Sequence, residues 1–309
     1  MKYFVTGVAG QLGIDVVREL LARGQEVIGS DIRAEYEFPD LQTESGSAPA
    51  YLPLDITDRD AVLRAIGECR PDVIIHCAAW TAVDAAEDEE NHTKVDAINH
   101  LGTKYIAEAA KTVDAAMIYI STDYVFDGQG TTPWKPDDKN YAPLNVYGRS
   151  KLDGELAVSS LLEKFFIVRI AWVFGQNGKN FINTMINVAR THDTVRVVND
   201  QIGTPTYTPD LARLLADMSE SDKYGYYHAT QSECEPGGYI SWYDFCVEIY
   251  RQAGISTAVI PVSTAEYGLS RAARPFNSRL DKSKLEASGF KPLPDWKDAL
   301  GRYLEKLTC

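Results

Sequence analysis

The sequence predicts a doubly wound α/β fold, a parallel sheet covered by helices on both faces. Three observations carry that prediction. Short apolar strand patterns alternate with amphipathic helix patterns over the first two thirds of the chain, and that order builds parallel strands joined by helical crossovers. A turn with three regularly spaced glycines joins the first strand to the first helix. The chain has 309 residues, 45% hydrophobic and 24% charged, enough to bury a sizeable core in ordinary globular proportions.

The elements follow in order. Lys2–Thr6 reads as a strand, and Gln11–Arg23 as a helix with Leu12, Val16, Leu20 and Leu21 at helical spacing. Glu26–Ser30 is a second strand, 34–50 a polar loop, and a third strand precedes Asp55. Asp58–Cys69 is helical and Asp72–Cys77 a buried apolar strand. Helix patterns at about 91–112 precede the strand Ala116–Ser121; a helix over about 148–162 precedes the strand Phe165–Ala171. Beyond about residue 172 the rhythm breaks, and Gly, Pro and aromatic residues thicken at 199–210 and 233–244. The expected division is a sheet domain of 1–172 plus about 200–230. Interleaved with it is a smaller α/β substrate-binding lobe of about 173–199 plus 231–309.

Charge narrows the partners. Lys plus Arg number 31 and Asp plus Glu 44, a net charge of −13. Nucleic acid and anionic membranes repel such a chain at long range, so neither is expected as a partner. No basic, apolar leader opens the sequence and no apolar run approaches a membrane span of roughly 20 residues. Cys69, Cys77, Cys234, Cys246 and Cys309 are odd in number and free of paired spacing, which fits a reducing cytoplasm and not a zinc site.

The glycine turn is Thr6-Gly7-Val8-Ala9-Gly10-Gln11-Leu12-Gly13. Gly7 allows the tight turn, Gly10 lets backbone approach a pyrophosphate, and Gly13 lets the helix pack on the sheet. The helix N-terminus at Gln11 and Leu12 then offers free N–H groups to the anion. This makes the fold Rossmann-like, with NADPH or NADH as the expected cofactor. Asp31, at the end of the second strand, suits the ribose hydroxyls of NAD(H). Arg33, two residues on, suits the 2′-phosphate of NADP(H), and the two signals leave the choice open. Asp55 is a candidate for the adenine edge and equally a turn residue. Ala78 and Ala79 follow His76 and Cys77, where small residues let a flat cofactor lie on the backbone. His76 has no partner at ligand spacing and reads as a packed histidine.

The catalytic pattern is Tyr147-Gly-Arg-Ser-Lys151, preceded by Ser121-Thr122-Asp123-Tyr124 at a strand end. Residues four apart share a helix face, which puts Lys151 beneath the Tyr147 hydroxyl. An ammonium there is expected to lower the tyrosine pKa, with Thr122 bonded to the reacting oxygen. Ser121 is a secondary candidate.

TGVAGQLG (6–13), CAA (77–79), STDYVFDG (121–128) and YGRSK (147–151) resemble the extended short-chain dehydrogenase/reductase superfamily. AAWTAVDAAE (78–87), PLNVYGRSK (143–151), RIAWVFG (169–175), NDQIGTPT (199–206) and RPFNSRL (274–280) are similar to its dTDP-4-dehydrorhamnose reductase family. The resemblance covers almost the whole chain. It implies NAD(P)H-dependent reduction of the C4 ketone of a dTDP-sugar, with Thr122, Tyr147 and Lys151 as the triad. Asn99 would be the structural asparagine that helps place the lysine. Asp123, Trp172, Asp200, Gln201, Arg274, Asn277 and Arg279 would line the substrate. Arg274 and Arg279 also suit phosphate by their fork of donors, or surface ion pairing. Some members dimerise around Mg²⁺ through acidic residues, so a homodimer and a magnesium ion are open options with no ligands assignable. The 34–50 loop and the segment before Tyr147 are longer than in the family's compact form. Rival readings are a nucleotide-sugar epimerase or dehydratase on the same scaffold, and a non-catalytic subunit resembling the methionine adenosyltransferase β subunit.

Overall fold

The structure, a computed structural model, describes residues 1–38, 41, 46, 48–235 and 238–307. Part of the 34–50 loop (39, 40, 42–45 and 47) and Cys309 therefore lie outside the described residues. The strands are β1 (Lys2–Thr6), β2 (Glu26–Asp31), β3 (Ala50–Pro53), β4 (Val73–His76), β5 (Ala116–Thr122), β6 (Phe165–Ile170) and β7 (Val173–Phe174), then β8 (Thr194–Val198), β9 (Ile202–Gly203), β10 (Thr206–Tyr207), β11 (Gly225–His228), β12 (Ile240–Ser241) and β13 (Ala258–Val262). The helices are α1 (Gln11–Ala22), α2 (Arg59–Cys69), α3 (Glu89–Asp96), α4 (Thr103–Val113), α5 (Val146–Leu161) and α6 (Phe181–Ala189), then α7 (Thr208–Ser219), α8 (Trp242–Ala253), α9 (Thr264–Tyr267), α10 (Ser283–Ala287) and α11 (Trp296–Leu307).

Strand order β3-β2-β1-β4-β5-β6-β11 forms one parallel sheet. Successive residues of a strand face opposite sides. Tyr3 and Val5 therefore join the core under α1 and α7, with Ile14, Val17, Leu211 and Leu215. Phe4 joins the core under α2 and α4, with Ile66, Ile74, Ile106 and Met117. The order reverses beside β1, between β1 and β4, and that switch opens a crevice at the strands' C-terminal ends.

The helix pattern at about 91–112 departs from a single helix. A π-helical stretch, Ala97–Gly102, separates α3 from α4. The wider turn carries Asn99 inward. Its Oδ1 accepts the Trp80 N–H at 2.8 Å, and its Nδ2 donates to the Trp80 carbonyl at 3.1 Å and to Ser150 Oγ at 2.9 Å.

After β6 the chain builds a second lobe over the sheet's end. The β8–β13 pair, α6, α8 and α11 enclose an aromatic core of Phe174, Tyr207, Phe245, Trp296 and Tyr303. The chain returns to the sheet through α7, which packs on α1, and β11, which pairs with β6. Between β6 and α5, Arg169 and Glu155 form a fully buried ion pair at 2.7 Å. Among the described residues no helix is long and apolar enough to cross a membrane.

Candidate active site

The glycine turn is set by steric necessity. Gly7 has φ +70°, and a Cβ there would meet the Ala78 nitrogen at 2.6 Å. A Cβ on Gly13 would meet the Gly7 oxygen at 2.2 Å. The turn, α1 and the end of β4 thus approach as closely as backbone permits. This cradle, with small residues at the end of β4, fits the pyrophosphate and flat rings of a nicotinamide dinucleotide.

Two connected cavities run along the strand ends. One, about 240 Å³, is lined by Gly7, Gly10, Asp31, Asp55, Cys77, Ala78 and Ala79. The other, about 600 Å³, holds Gly7, Gly10 to Gly13, Thr122, Asp123, Tyr147, Lys151, Trp172, Lys179 and Arg274. A larger cavity of about 700 Å³ lies elsewhere, between α6, α8 and α11, away from the convergent acid–base groups.

In the first cavity, Asp31 Oδ2 accepts the Ala9 N–H at 3.1 Å, which ties β2 to the turn. Asp55 is a turn former: its Oδ1 accepts from Thr57 N–H at 2.9 Å and Thr57 Oγ1 at 2.7 Å. Arg33 is exposed and does not line the cavity; its guanidinium lies 5.8 Å from the Tyr36 ring centroid. His76 is buried with Nδ1 2.7 Å from Thr6 Oγ1 and Nε2 3.1 Å from Thr103 Oγ1. Burial, with the Lys151 charge, brings its pKa down to about 3. Burial also holds the Cys77 thiol up at about 12.

Tyr147 stands in the first turn of α5. Asn145 caps that turn, its Oδ1 accepting the Gly148 N–H at 2.7 Å, and Glu87 accepts the Val146 N–H at 2.8 Å. Thr122 ends β5 beside Tyr147, and its hydroxyl acts to lower the phenol's pKa against burial. It also donates to Asp123 Oδ1 at 3.1 Å. Lys151 follows one helical turn later, its Nζ 4.1 Å from the Tyr119 ring centroid. Burial pulls Lys151 down to about 7, against the opposing pull of Glu155. The expected lowering of the Tyr147 pKa is not what the site shows. Burial pushes the phenol above its ordinary value, and Lys151 is not among the groups that shift it. The Lys151 ammonium stands over the Tyr119 ring instead, and its charge acts on His76 and Cys77. Burial raises Asp123 to about 6, while among the described residues its Oδ2 and the Ser121 Oγ are buried without hydrogen-bond partners.

On the sugar side, Trp172 has φ +52° and stacks on Trp242 with ring centroids 3.9 Å apart. Arg274 lines the cleft but forks onto Asp84 at 3.0 and 2.6 Å. Gln201 lines an adjoining cavity of about 330 Å³ with Arg196, Tyr267 and Arg274. Three further expected substrate residues stand outside both linings, and each has another job. Asp200 accepts from Thr264 N–H at 2.8 Å and Oγ1 at 2.6 Å. Asn277 is buried and donates to the Gln129 and Thr132 carbonyls at 3.2 and 2.9 Å. Arg279 donates to Asn277 Oδ1 at 3.1 Å, over the Tyr239 ring. Sequence reading missed Lys179, Phe181 and Trp242 in the cleft. None falls in a spaced motif, and the cap residues Asn180 and Ser241 beside them signal only helix starts. Asp96, His100 and Asp153 bring ligand atoms within 4.8 Å of one another, outside the cleft lining; no magnesium ligand is assigned.

A parallel sheet with this glycine cradle and a Thr–Tyr–Lys set at the strand ends defines an extended short-chain dehydrogenase/reductase. More particularly, the chain belongs to the family described as RmlD substrate binding domain, which residues 1–309 match. It is 37% identical to the spore coat polysaccharide biosynthesis protein SpsK of Bacillus subtilis, over 99% of this chain and 97% of that one. A dTDP-4-dehydrorhamnose reductase of Clostridium acetobutylicum is 40% identical, with a TM-score of 0.88 and 100% of both chains covered. The Bacillus anthracis dTDP-4-dehydrorhamnose reductase, solved in complex with NADP, is 36% identical with a TM-score of 0.87 over 99% of both.

Proposed function

We propose that the chain is a dTDP-4-dehydrorhamnose reductase, using NADPH or NADH to reduce the C4 ketone of dTDP-4-dehydro-L-rhamnose to dTDP-L-rhamnose. The observation that carries this reading is the convergence of Thr122, Tyr147 and Lys151 in a cavity continuous with the glycine cradle. The bound dinucleotide supplies hydride. Gly7, Gly10 to Gly13, Ala78 and Ala79 hold it, and Asp31 braces the turn at its adenosine end. Relatedness to an NADP-bound reductase favours NADPH over NADH.

The chain's own groups manage the charge that develops on the C4 oxygen. Tyr147, kept protonated by burial, donates the proton. Thr122 hydrogen-bonds the same oxygen and fixes the phenol. Lys151 becomes a stronger stabiliser when protonated, and Glu155 supports that state. Asp123, with its free Oδ2, accepts a sugar hydroxyl. Trp172 gives the sugar a flat wall, and Arg274 turns its fork toward the diphosphate.

The test is nicotinamide absorbance with purified protein, both cofactors and the dTDP-4-keto sugar. Stoichiometric loss of NAD(P)H with formation of dTDP-L-rhamnose is expected. A cofactor that is bound but never consumed would instead indicate an epimerase or dehydratase cycle.

A further inference from the structure

The cleft must hold two diphosphates in a chain of net charge −13, so its few cations matter. Lys151, Lys179 and Arg274 are the cationic side chains that line the larger cavity. Lys151 is drawn down to about 7 by burial, and Arg274 is forked onto Asp84. Lys179 is different. It is exposed, and among the described residues its ammonium has no ion-pair or hydrogen-bond partner.

Its backbone lies against the cofactor cradle. Gln11, the first residue of α1, donates from Nε2 to the Lys179 carbonyl at 3.3 Å. The neighbouring Gly178 has φ +91° and comes close enough that a Cβ would meet Gln11 Cγ at 3.4 Å. Asn180, on the other side, donates to Gln11 Oε1 at 3.4 Å, to the Gly175 carbonyl at 2.9 Å and to Tyr303 Oη at 2.9 Å. The segment 178–180 is thus pinned between the lobe's aromatic core and the first turn of α1, whose free N–H groups and dipole favour an anion.

We infer that Lys179 is a cofactor-binding residue, a cation carried by the lobe that pairs with the pyrophosphate held at the glycine cradle. The inference rests on the reductase reading for the identity of the ligand. Lys179 acts on the part of the cofactor that NADPH and NADH share, whereas Arg33 lies near the end where they differ. The lysine also joins lobe to sheet through the ligand.

The experiment is titration of the full chain with NADPH and with NADH, following nicotinamide fluorescence, for the wild type, Lys179→Met and Lys179→Arg. Lys179→Met is expected to weaken both cofactors by about 5- to 10-fold and equally, as loss of one charge-assisted contact does. The loss shrinks as ionic strength rises, and Lys179→Arg recovers most of the affinity. Thermal melts monitor folding, which an exposed side chain does not govern. Unchanged affinity for both cofactors in a folded Lys179→Met would overturn the inference, as would a loss confined to NADPH. If the wild type itself binds neither dinucleotide, it is the reductase reading that falls.

Discussion

The sheet and the lobe solve the same packing problem by different means. The sheet buries long apolar runs, such as Val73, Ile74 and Ile75, between two helical layers, with β-branched side chains on both faces. The lobe has strands of two to five residues and concentrates its core in a few rings. Phe174 stacks on Tyr207 at 5.0 Å and meets Tyr303 edge-on at 5.4 Å. Many small contributions therefore hold the cofactor cradle, while a few large ones hold the sugar side. The proposed acid–base set, Thr122, Tyr147 and Lys151, stands on α5 and the end of β5.

The largest expected effect breaks the chemistry and leaves both regions intact. Tyr147→Phe lowers kcat by about 10²–10⁴-fold, the usual worth of a general acid, while NADPH affinity is retained. Near-normal turnover in steady-state assays would remove Tyr147 from its proposed role. Next comes the lobe. Phe174→Ala costs about 3–5 kcal/mol, read from the urea midpoint, because a buried ring leaves a cavity. In the sheet, Ile75→Val costs only about 0.5–1.5 kcal/mol, and comparable losses at both sites would erase the contrast.

A last effect is read against pH and concerns His76, which bridges Thr6 of β1 and Thr103 of α4. His76 has its pKa brought down to about 3 against an ordinary 6.5. Above pH 6.5 it is neutral whether folded or unfolded. As pH falls from 6.5 toward 3 the unfolded chain takes up a proton that the folded chain refuses, so stability declines through that window. The decline amounts to about 2 kcal/mol by pH 5. His76→Asn should flatten that slope in melts across pH 7 to 5, and an unchanged slope would assign the acid sensitivity to other groups.

The legible part of the molecule was the periodic part. Apolar runs and glycine spacing located the sheet, the cradle and the Tyr147–Lys151 helix face. The rest depends on contacts distant in sequence. Nothing local distinguishes Arg169 as half of a buried pair with Glu155, or Arg274 as tied to Asp84 across 190 positions. Asn277 and Arg279 carry suitable donors, yet the loop at 129–132 claims the one and the first claims the other. The π-helical turn at Asn99 keeps the apolar pattern of a plain helix, so only its inward hydrogen bonds reveal it. Lys179 stands outside every spaced motif and is noticed only when its segment closes over Gln11.

Cys77 gives the cleft a last property. It lines both cavities at the end of β4, yet burial holds its thiol up at about 12, so the protonated form prevails at neutral pH. The cofactor's floor thus contains sulfur without a nucleophile. A thiol held in that form is a poorer target for the electrophiles and mild oxidants that react with low-pKa cysteines.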